Sequence, residues 1–131
     1  MVPNDELVRN VMRELELSEE ERLIRLGKQN TPQGIGSDAD DFDDEHYKRL
    51  GASLLSRIME RARKKICESD EIRTAVTKLG SNAKIALVAP IADVVATLVS
   101  GPAIFTATAS IITIGLPAYC GKYWSDTRGL G

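Results

Sequence analysis

The stretch IALVAPIADVVATLVSGPAIFTATASIITIGLPAYCG, residues 85–121, carries one charged side chain, Asp93, in thirty-seven residues. Ser100, Gly101 and Pro102 form a turn signal that divides it into halves of sixteen and about eighteen residues. As helices these halves would be roughly 24 and 27 Å long, slightly short of the ~30 Å hydrocarbon core that ~20 helical residues cross. The run is therefore either a membrane-crossing helical hairpin or a pair of helices buried in a soluble bundle.

The flanks and faces of the run favour the membrane. A hairpin turning at Gly101 puts Lys84 and Lys122 on one side, together with Tyr119, Tyr123 and Trp124, which is the arrangement of a cytoplasmic membrane interface. In the first half, Ala86, Ala89, Asp93, Ala96, Thr97 and Ser100 recur at helical spacing as one small and polar side. In the second, Thr106, Ser110 and Thr113 repeat at i, i+4 and i+7. Small and hydroxyl residues permit close helix packing in lipid, and an acid at mid-membrane faces a bundle interior or water. Asp93, Thr97, Ser100, Thr106, Ser110 and Thr113 are thus the expected pore-lining or packing residues. In the alternative, both halves are core helices, and Asp93 lies at a solvent edge or pairs with a base.

Upstream, the pattern is that of amphipathic helices. Leu7, Val8, Val11, Met12 and Leu15 predict a helix over about 5–17, and Ser18 with Glu21 forms a capping-box pattern that starts a second helix reaching about Gly27. Gly27, Pro32, Gly34 and Gly36 then interrupt the pattern, and six acids follow in eight residues, 38–45. A calcium loop starting at Asp38 fails, because Asp43 stands where that loop needs Gly and Arg49 where it needs Glu. The acids instead suit the positive end of the following helix. That third helix carries Tyr47, Leu50, Leu54, Leu55, Ile58, Met59, Ala62 and Ile66 on one stripe, and Arg57, Arg61, Arg63, Lys64 and Lys65 elsewhere. Ser69 or Asp70 caps a shorter fourth helix that ends near Gly80.

The expected fold is all-α: a helical cytosolic module over 1–84 with an acidic loop at 30–46, an apolar transmembrane hairpin over 85–121, and a polar tail over 122–131. Charge is segregated along it. Residues 1–45 hold thirteen acids against five bases, a net −8, whereas residues 46–84 hold ten bases against four acids, a net +6. Such a split lets the two halves dock within or between protomers, or lets the basic half meet an anionic partner. Cys67 and Cys120 have neither metal-ligand nor CxxC spacing, and read as reduced thiols. The start, MVPNDELVRN, lacks the basic-then-apolar pattern of a signal peptide.

These features exclude the common catalytic signatures. There is no GxSxG, phosphate-cradling loop or zinc spacing, GIGSD and TKLGSNAK read as turns, and the single His46 stands among acids that would pair with it. No cofactor is expected. The layout, without a shared residue motif, is similar to small pore-forming effectors of bacterial antiviral defence and to phage holins, which implies a membrane-permeabilising ion channel or pore. The expected function is a small homo-oligomeric membrane protein whose cytosolic helices regulate that pore, both termini being cytoplasmic. Arg57, Arg61, Lys64 and Lys65 would receive anionic lipid, nucleic acid or a nucleotide. The alternative is a soluble, cytoplasmic, self-assembling interaction module.

Overall fold

The computed structural model describes residues 2–29, 43–79, 84–121 and 123–124. Among them every regular element is helical: α1 (Val2–Leu15), α2 (Glu19–Gln29), α3 (Asp44–Cys67), α4 (Asp70–Leu79), α5 (Lys84–Val95), α6 (Ala103–Ile114) and α7 (Leu116–Tyr119). The chain is all-α, as the apolar periodicities predict. Residues 30–42, with the GIGSD turn and the Asp38 segment, lie outside the described residues, as do 80–83, Lys122 and 125–131.

Helix starts follow local polar chemistry. Ser18 N donates to Glu21 Oε1 at 2.8 Å while Glu21 N donates to Ser18 Oγ at 3.1 Å, the reciprocal capping box that the Ser18–Glu21 spacing predicts. Asp43 caps α3 by accepting from His46 N at 3.0 Å, and Ser69 caps α4 by accepting from Ile72 N at 3.2 Å.

The apolar run is helical but does not form two long helices. α5 stops at Val95, where Thr97 N and Leu98 N turn back to Val94 O and Val95 O, and Gly101 then adopts φ +67°, a conformation open to a residue without Cβ. α6 stops at Gly115, whose φ of +96° lies outside the helical region, and Pro117 opens the short α7. Each long helix of the hairpin therefore has twelve residues and spans about 18 Å. No described helix is long and apolar enough to cross a membrane, so the expected transmembrane hairpin is not what the fold provides.

Burial within the protein accounts for the same composition. α6 touches α1, α2, α3, α5 and α7, and Ala103 and every residue from Thr106 to Ile112 are buried. A helix enclosed on all sides has no polar face to keep. α5 presents Leu87, Val88, Ile91, Ala92 and Val95 inward, and these join Val11, Leu26, Ile58, Ile66 and Ile72 in one core. Side chains from 1–84 and from 85–121 thus share a single apolar interior.

Two glycines set the spacing of the frame around that core. α2 and α3 run antiparallel, with Gly27 against Tyr47 and Gly51 against Leu23. A methyl group at Gly27 would overlap the Tyr47 carbonyl, and one at Gly51 the Leu23 carbonyl, so the two backbones touch with no side chain between them. Backbone cannot yield as the end of a flexible side chain does.

The cysteines differ from the sequence expectation of reduced thiols: Cys67 and Cys120 form a disulfide across a separation of 53 residues. Their spacing carries no sign of this. The topology does, because it returns the end of α7 to the C-terminus of α3, and both residues are buried there.

Gly51→Ala would ordinarily gain about 1 kcal/mol of helix propensity. Here overlap with Leu23 O is expected to reverse the sign, with a net loss of about 2 kcal/mol in urea unfolding; a stabilised variant would contradict the backbone contact. Cys120→Ala opens a loop of 53 residues, and the chain-entropy relation gives an expected loss of about 4 kcal/mol. Unfolding with and without reductant measures it.

Candidate functional site

The six hydroxyl and acidic residues expected to line a pore do not come together. Asp93 is exposed on the side of α5 opposite its buried Leu87, Val88, Ile91 and Val95, and Thr97 and Ser100 are exposed beyond the end of that helix. Thr97 Oγ1 donates to Val94 O at 2.6 Å, and Thr113, also exposed, donates to Ala109 O at 2.9 Å. Thr106 and Ser110 are buried in α6. Ser110 donates to Thr106 O at 3.0 Å.

Thr106 belongs to a polar cluster joining α1, α2 and α6. Its hydroxyl donates to Glu14 Oε1 at 2.9 Å. Arg25 grips the same carboxylate with two bonds, Nε to Oε1 at 3.2 Å and Nη2 to Oε2 at 2.8 Å. Arg22, 3% exposed, donates through Nη1 to Leu17 O at 2.6 Å and to Glu14 O at 3.1 Å. Its positive charge thereby meets carbonyls at the negative end of α1, of which Glu14 O also accepts from Leu17 N at 3.1 Å. The cluster joins three helices and fastens α1 and α2 to α6. Sequence reasoning passed over Glu14 and Arg22, although a charge on each apolar stripe, three residues after Val11 and four before Leu26, was the available signal.

The open, charged surface is on α3. Arg57, Arg61, Lys64 and Lys65 are exposed, and among the described residues none has a carboxylate oxygen within 4.0 Å. Their spacing places them within about 100° of arc and about 12 Å of helix length. Leu50, 44% exposed, lies on the same side, and Glu60 and Glu68 are exposed beside the cations. Because α2 is antiparallel to α3, Glu19 and Glu20 at its start lie toward the basic end of α3. The acidic and basic halves of the sequence are in part neighbours within one protomer.

The aromatic residues expected at a membrane interface are engaged on the protein itself. Tyr119 is buried, donates its hydroxyl to Met59 O, and takes the Arg63 guanidinium on its ring at 5.0 Å. Trp124 Nε1 donates to Cys67 O at 3.0 Å, and Arg73 stands over its ring at 5.9 Å. Tyr123 is partly buried, and Lys84 is exposed at the start of α5. Lys122 lies outside the described residues. These contacts and the disulfide pin Tyr119, Cys120 and Trp124 to the C-terminal half of α3.

No protein-family model, curated protein or solved structure shows significant similarity to the chain.

Burial pushes the Tyr119 phenol up to about 12, against the attraction of Arg63. Its folded value is raised, so its contribution to stability is complete below the unfolded value near 10 and is lost as pH rises toward 12. Absorbance titration is expected to show the Tyr119 phenol ionising at about 12. For Glu21, the bond from Ser18 N holds the carboxyl below the ordinary range. That contribution is present above the unfolded value and disappears as pH falls through the lower folded one. Ser18→Ala is expected to raise the Glu21 midpoint in an NMR titration.

Proposed function

We propose that this chain is an all-helical interaction module that docks an acidic protein surface on the outward face of α3, with the apolar hairpin serving as its own core. The observation that carries the reading is the set of four exposed cations, Arg57, Arg61, Lys64 and Lys65, without carboxylate partners among the described residues and fixed on the longest helix. The intervening Glu60 and Glu68 and the exposed Leu50 favour a protein surface over a phosphate backbone, which those carboxylates would repel. A second copy offers suitable charge, since residues 1–45 are net −8. Steering by such complementarity acts on association rate and register more than on depth of affinity.

Light scattering in plain buffer tests this. Self-association at low ionic strength is expected, weakening with added salt and abolished in Arg57→Glu/Arg61→Glu. A protein that stays monomeric at every salt and concentration removes the second copy as partner. Equal binding of duplex DNA or anionic vesicles, lost in the same variant, would move the surface from protein to polyanion recognition.

A second reading retains the membrane pore, on the observation that α6 carries no charge and α5, after Lys84 at its first position, only Asp93. For the hairpin to insert, α6 must leave Glu14 and the core that surrounds it. Release of dye from anionic liposomes, lost in Asp93→Ala with the fold intact, is the expected outcome of that reading.

A further inference from the structure

A groove of about 310 Å³ runs between α2 and α3, on the side of α3 away from Arg57 and Arg61. It opens next to the glycine contact, where α2 approaches its first turn. Its floor is apolar, made by Leu23, Leu55 and Met59, and the small side chains of Ala52 and Ser56 leave the space unfilled. Its rim is dipolar. Glu19, exposed at the start of α2, is on one wall, and Arg63 is on the other.

Neither of these opposite charges is used by the other. Among the described residues Glu19 and Arg63 do not approach within 4.0 Å, and neither forms an ion pair elsewhere. Arg63 places its guanidinium carbon 5.0 Å from the centre of the Tyr119 ring, and its buried Nε has no hydrogen-bond partner among the described residues. Glu60, exposed on the Arg63 wall, adds a second carboxylate at the rim. A ligand that satisfies this arrangement carries an ammonium for the carboxylates, an acceptor for Arg63, and a hydrocarbon group for the floor. The volume is at the lower end of small-molecule sites.

We infer that the α2–α3 groove binds a small zwitterion with an apolar side chain, an α-amino acid of the phenylalanine or leucine type. The side chain lies over Leu23, Leu55 and Met59, the ammonium faces Glu19 and Glu60, and the carboxylate faces Arg63. This site is independent of the anionic-partner surface and stands or falls separately from it.

Titration of the full chain with L-phenylalanine, followed by amide NMR, tests the inference, with N-acetyl-L-phenylalanine and L-phenylalaninamide as probes lacking one charge each. Saturable shifts at Leu23, Ser56 and Met59 are expected with phenylalanine, and binding about tenfold weaker with either analogue. Glu19→Gln/Glu60→Gln should bring phenylalanine down to the level of its N-acetyl form. Ser56→Trp, at an exposed position, should fill the groove and abolish the shifts while the rest of the spectrum is retained. Equal binding of all three probes, unchanged binding in Ser56→Trp, or no saturable shift below about 50 mM would each overturn the proposal.

Discussion

Twelve residues without a charge, Ala103–Ile114, form a helix whose Ala103 and Thr106–Ile112 are buried by the elements around it, and this burial organises the molecule. α1 and α2 cover one flank, α5 another, and α3 and α7 close the remainder. Covering alone would leave these helices free to slide over a smooth apolar rod. Thr106 opposes that, because its buried hydroxyl donates to Glu14, which also holds Arg25. Arg25 is half exposed, so the value of the pair lies in fixing register more than in Coulomb energy.

Much of the architecture was legible in the sequence because it rests on local rules. The capping box at Ser18, the cap at Ser69, and the apolar stripe of α3 depend on residues three or four apart, and period and spacing expose them directly. The apolar run was harder. Hydrophobicity on all sides states that a helix is enclosed, but lipid and protein enclose equally well, and the breaks after Val95 and at Gly115 that shorten both helices appear only in the fold. The small and polar stripe expected from Ala86 to Ser100 runs past the end of α5 at Val95, and the direction of the part that lies on the helix depends on where the bulk of the protein lies. The pairing of Cys67 with Cys120, and of Glu14 with Thr106, joins residues 53 and 92 positions apart, which no local pattern encodes.

The candidate surfaces follow the same division. The cations of α3 were visible as a helical cluster, and the fold leaves them exposed. The groove was not visible, since it needs Glu19 and Leu23 from one helix to face Ser56 and Arg63 from another. The glycines at the α2–α3 contact read only as breaks in a pattern: the sequence places a helix end at Gly27, where α2 continues to Gln29, and Gly51 lies within α3. Their role appears when the partner backbone is placed against them.

The sulfur bridge also alters how the chain would carry load. Joining the end of α3 to the residue after α7, it makes α4, α5, α6 and α7 members of a closed ring 53 residues apart at its ends. Tension applied between the two termini would pass from α3 through the sulfurs into the C-terminal segment, leaving the apolar hairpin outside the line of force. About 180 Å of extended chain would stay withheld from stretching while that bond lasts.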